Sequence, residues 1–91
     1  MGQTRSIAVL VRQRVTEALR MSVGLTVLND RVSVYIAEPI KELDDMAVQY
    51  LEALSMMDVP VYGMHDHAGL QKISEDGLSS ALIEADSVIA Y

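Results

Sequence analysis

The chain has 91 residues, 51% hydrophobic and 22% charged, with a formal net charge of −6 and no cysteine. A chain of this length makes one domain, residues 1–91, and buries roughly 60–65% of its unfolded surface on folding. The composition excludes intrinsic disorder, disulfides, thiolate metal sites and cysteine nucleophiles. The acidic balance argues against a general phosphate-backbone binder, and no apolar run approaches the ~18 residues of a membrane helix.

Met1-Gly2-Gln3-Thr4-Arg5-Ser6 matches the loose acylation pattern M-G-x-x-x-[ST], but its plain reading is a polar lead-in. The apolar stretch Ile7–Val11 is too short for a signal peptide core, so a cytoplasmic protein is expected. Ser6-Ile7-Ala8-Val9-Leu10-Val11 is continuously apolar and β-branched, the signature of a strand buried on both faces in a parallel sheet. From Val15 to Leu28 the spacing turns helical, with Val15, Ala18, Leu19, Ser22 and Leu25 on one face. Ser22 and Gly24 are expected to let this helix sit close to the sheet. Asn29-Asp30 stops it.

Arg31–Ala37 reads as a second strand, ended by Pro39. The next helix is expected to start near Pro39 or Lys41, with Glu42, Asp44 and Asp45 complementing its dipole. Its apolar face is Leu43, Met46, Ala47, Tyr50, Leu51, Leu54 and Met57, and Asp58 closes it. Val59–Tyr62 is a third strand, with Pro60 near its start or on an edge. Gly63–His67 is a polar loop. Ala68–Ile73 reads as a turn or two of helix capped by Asp66, Ser74–Gly77 as a turn, and Leu78–Asp86 as a short helix. Ser87–Tyr91 is the last strand. Strands alternating with helical crossovers predict an α/β fold, a three-layer α/β/α arrangement around a mainly parallel sheet of four to five strands.

In such sheets ligands bind beyond the carboxyl ends of the strands. The segments there are Arg12–Arg14, Glu38–Lys41, Gly63–His67 and whatever follows Tyr91. There is no G-x-G-x-x-G, no G-x-x-x-x-G-K-[ST] and no G-x-S-x-G, so dinucleotide, nucleoside-triphosphate and elbow-serine chemistry are not expected. Arg12 and Arg14 precede a helix N-terminus and are candidate anion contacts; the alternative is that both are solvated or paired with acids. Met64-His65-Asp66-His67 is the densest set of reactive groups. His65 and His67 could ligate one metal, with Asp66 or Glu38 as a third ligand, or a His beside Asp66 could act as an oriented base. The alternative is a solvated polar loop.

Charge is uneven. Residues 1–37 hold five arginines against Glu17 and Asp30, a net +3; residues 38–91 hold Lys41 and Lys72 against eleven acids, a net −9. Opposite faces of this kind can drive subunit pairing. Six methionines with no Phe or Trp make an adaptable core. Met56, Met57 and Met64 cannot all be buried in a small monomer, so an apolar oligomer contact is expected.

Several of these runs resemble the DsrE/DsrF/DsrH-like family of small sulfur-relay-type α/β proteins. Glu17–Ile36 looks like that family's first helix and second strand. Val59-Pro60-Val61-Tyr62-Gly63-Met64 resembles its third strand. Ala68-Gly69-Leu70 is similar to the A-R-G-L that follows, without the arginine, and Leu82–Tyr91 resembles the closing helix and strand. The resemblance covers Ile7 to Tyr91 and rests on pattern more than on invariant residues. It implies a domain that assembles with itself or with related chains. Several family members relay persulfide sulfur through a cysteine just after the third strand. Here that stretch is Tyr62-Gly63-Met64-His65, and a thioether has no ionisable S–H. The segment between Ile73 and Leu78 is short, so one strand usual in the family is expected to be reduced or missing.

The expected function is therefore a non-catalytic, oligomer-forming accessory or structural subunit. It would present Gly63, Met64, His65, Asp66 and His67 to a partner, without cofactor, nucleic acid or membrane. The alternative is a small-ligand or metal-binding enzyme using His65, Asp66 and His67.

Overall fold

β1 (Ser6–Val11) is the spine of the molecule, flanked on one side by β2 (Arg31–Ile36) and on the other by β5 (Ser87–Ala90). A computed structural model describes residues 6–26, 31–37, 44–64 and 70–90. All pairings in the sheet are parallel, and the strand order is β4-β3-β2-β1-β5, with β3 at Val61–Gly63 and β4 at Gln71–Lys72.

The central place of β1 explains its unbroken apolar sequence. Ile7, Val9 and Val11 face one side of the sheet together with Val32, Val34, Ile36 and Val61, in register as Val9–Val34–Val61. Onto this face pack α1 (Val15–Thr26) and α2 (Asp45–Met56), which also touch each other. Ala18, Leu19, Ala47 and Leu54 are wholly buried there. Alternate residues face the other side: Ala8 and Tyr35 are buried, and Tyr35 stacks on Tyr62 with ring centroids 5.2 Å apart and planes within 10°.

From β1 to β3 the chain steps across the sheet in one direction. From β4 to β5 it crosses the full width the other way, through α3 (Glu75–Glu84). Right-handed crossovers then place α3 on the face opposite α1 and α2, completing three layers. That third layer is thin, since α3 has no buried residue.

Several expectations need correction. Gln71–Lys72 is a strand, so the helix expected over Ala68–Ile73 does not extend through these two residues; the start of that stretch lies outside the described residues. A two-residue extended segment carries no 3.6-residue period, and only pairing with Tyr62 and Gly63 reveals it. The turn expected at Ser74–Gly77 is the start of α3. Ser74 is its N-cap, accepting from the Gly77 N–H at 3.0 Å. α2 begins at Asp45, capped by Asp44, which accepts from the Ala47 N–H at 2.7 Å; Pro39 and Lys41, near which its start is expected, lie outside the described residues. β3 begins at Val61, after Pro60, whose carbonyl accepts from the Val34 N–H.

Gly24 lies exposed in α1, and a Cβ there would meet nothing within 4 Å. It therefore has no close-packing role. Ser22 does: it is fully buried and donates its hydroxyl to the Ala18 carbonyl at 2.8 Å. Asp58 ends α2 with φ 59°, in the left-handed region. Its N–H reaches the Ser55 carbonyl and that of Val59 the Leu54 carbonyl, which is the Schellman arrangement usually given to glycine. Among the described residues no helix is long and apolar enough to cross a membrane.

Candidate functional site

The carboxyl ends of the first three strands are tied into one rim. The Ala37 N–H donates to the Val11 carbonyl at 2.9 Å, and the Met64 N–H to the Ile36 carbonyl at 3.1 Å. The Gly63 carbonyl in turn accepts from the Ile73 N–H at 3.0 Å. Val11, Ile36, Gly63 and Lys72 share one register row across this rim.

The strand order reverses at β1, since β2 lies on one side of it and β5 on the other. The crevice of an open α/β sheet opens at such a point. Arg12, Gln13 and Arg14 therefore stand at the switch point, all exposed. Arg14 has φ 45°, uncommon for a residue with a Cβ, and its carbonyl accepts the first bond of α1 from Ala18 at 3.0 Å. The left-handed turn lets the chain drop from β1 into α1 within three residues. The Arg14 guanidinium lies 3.8 Å from Glu17, both side chains mostly in solvent. Such an exposed pair is worth about 0–1 kcal/mol.

Gly63, expected to open the polar loop, is the last residue of β3, and Met64 follows it, two strand spacings from Val11, about 10 Å away. The described part of the loop and the arginine turn thus occupy different places on the rim. Gly63 is buried in the sheet and Met64 is half-buried. His65, Asp66, His67 and Glu38, the expected metal or acid–base groups, lie outside the described residues. Among the described residues no three His, Asp or Glu side chains gather to hold a metal ion.

Two features were not anticipated from the sequence. The Thr16 hydroxyl donates to both Asp44 carboxylate oxygens at 3.1 and 3.2 Å, so one carboxylate caps α2 and ties it to the first turn of α1. At the amino edge of the sheet an open groove of about 710 Å³ is lined by Thr26, Arg31, Ser33, Met56, Met57 and the Asp58–Pro60 turn. The only available hint was the Met56-Met57-Asp58 run, which also fits an ordinary helix end.

Comparison with models of known families, with curated proteins and with solved structures gave no match.

Proposed function

We propose that this protein is a non-catalytic, oligomer-forming α/β subunit of the DsrE/DsrF/DsrH type. In this reading it is a cytoplasmic accessory or structural partner of sulfur-relay proteins. One observation carries the proposal. β3 ends at Gly63, the next residue is Met64, and no cysteine stands anywhere in the 91 residues. Sulfur relay needs a thiolate that attacks a sulfane sulfur and is later released, and a thioether cannot do either. The all-parallel five-strand sheet agrees with the resemblance in fold.

Exposed apolar side chains support the oligomeric part. Met46, Val48, Met56, Met57, Ile83 and Val88 are each at least 41% exposed on a chain of only 91 residues. Met56 and Met57 at the end of α2, and Ile83 and Val88 where α3 meets β5, are the groups such association would cover. The partners are a second copy and related chains, and the loop Gly63–His67 is presented to a partner that carries the chemistry.

Two measurements test this reading. Light scattering on the purified protein is expected to give a mass above that of one 10.0 kDa chain. Incubation with a sulfane sulfur donor is expected to leave the protein mass unchanged. Transfer of sulfur to and from this polypeptide alone would overturn the proposal.

A further inference from the structure

The two edges of the sheet are unlike. β4 is two residues long and carries Lys72, a short charged edge of the kind that resists pairing with another chain. β5 has four residues, none charged and none proline, and is bonded to β1 alone among the described strands. Its Val88 is 46% exposed, and Ile83, in the last turn of α3 leading into it, is 82% exposed. A regular apolar edge left in this state is a template for a further strand.

Charge selects the occupant and its direction. Glu84 and Asp86 stand at the amino end of β5, both exposed. β1 runs parallel to β5 with Leu10 beside Ala90, so exposed Arg12 stands just beyond the carboxyl end of β5. Asp86 accepts from the Ser6 N–H of β1 at 2.7 Å, so Glu84 is the acid free to act at one end of this edge and Arg12 the base beyond the other. A second copy laid antiparallel meets acid with base at both ends, whereas a parallel copy sets like beside like.

We propose that β5 is a dimerisation edge, pairing antiparallel with β5 of a second copy about a two-fold axis through Val88, with Glu84 of each copy turned to Arg12 of the other. The proposal rests on the self-association argued above and names its surface. In this register Val88 meets its own counterpart and Ser87 meets Ile89, so each pair lies on one face of the joined sheet. Asp86 comes opposite Ala90 of the second copy. Arg12 of one copy then lies two strand spacings, about 10 Å, from the line of chain leading to Glu84 of the other. Glu84 is the last residue of α3, so its long side chain approaches Arg12 from the helix end and not from the strand line. The interface is isologous, so one attractive charge contact is made twice.

Sedimentation of the full chain over a concentration series tests this, with far-UV circular dichroism to verify folding. The unaltered protein is expected to dimerise. Val88→Lys sets two ammonium groups directly opposite each other and is expected to give a folded monomer. Arg12→Glu and Glu84→Lys are each expected to weaken self-association about tenfold or more. Mixing these two variants is expected to restore a dimer containing one of each, because both ends are then complementary. If the protein associates and the variants associate equally tightly, β5 is not the edge, while self-association by another surface stands. A monomer at every concentration overturns both. If Val88→Lys fails to fold, the mixing experiment decides alone, since its two substitutions are at exposed positions.

Discussion

Two helical glycines make opposite predictions from the same substitution. Gly24 lies inside α1, exposed, with open space where a Cβ would stand. Alanine there removes backbone freedom from the unfolded chain and creates no contact in the folded one. The helix-propensity difference is about 1 kcal/mol in favour of Ala. For a domain of this size that corresponds to a rise in the thermal midpoint of about 4–8 °C. Gly77 lies in the first turn of α3, where a Cβ would come 3.0 Å from Ile73 Cγ1 and 3.3 Å from the capping Ser74 Oγ. Gly77→Ala therefore forces the cap or Ile73 to shift, and the propensity gain is expected to be cancelled or reversed. Thermal and urea unfolding of the two variants and the parent, at one fixed protein concentration, measures both. A Gly24→Ala midpoint equal to or below that of the parent would refute the claim that this position faces open space. Equal stabilisation by the two substitutions would refute the crowding at Gly77.

Three further outcomes follow from particular residues. Asp58→Gly is expected to stabilise by about 1 kcal/mol, because it relieves a left-handed residue with a Cβ and removes a negative charge from a helix C-terminus; urea unfolding checks it. Asp44→Ala is expected to cost about 1–2 kcal/mol, since it deprives the Ala47 N–H of its cap and the Thr16 hydroxyl of its acceptor. Under that reasoning Thr16→Val costs less than Asp44→Ala, and the reverse order in a chemical melt would contradict it. In the accessory-subunit reading, untagged protein is expected to carry no stoichiometric transition metal, and a His65→Ala/His67→Ala variant is expected to keep the stability and self-association of the parent; elemental analysis showing a bound equivalent lost in that variant would favour the metal-binding alternative.

The site was legible in unequal parts. That Arg12–Arg14 lies at a carboxyl end followed from its place between an apolar strand and a helical period. That it stands at the point of strand reversal did not, because that depends on β5 joining the far side of β1. Met64 follows a strand as expected, but Gly63 belongs to that strand rather than to the loop, and the separation of both from Arg12 by two strand spacings follows from pairing order. The link from Thr16 to Asp44 joins residues 28 positions apart and leaves no local pattern.

By itself the sequence determined the elements whose period is strong. These are the apolar run Ile7–Val11 of β1, the two long amphipathic helices, the α/β class and the lack of any thiol. Each follows from side chains within one short window or from composition. Tertiary structure alone decided the order β4-β3-β2-β1-β5, the existence of β4 and the roles of the two glycines. It also decided which strand forms the open edge. The physical reason is that strand pairing, Cβ clearance and edge exposure depend on residues brought together from distant parts of the chain, and a one-dimensional pattern records only what each residue needs, not which neighbour meets that need.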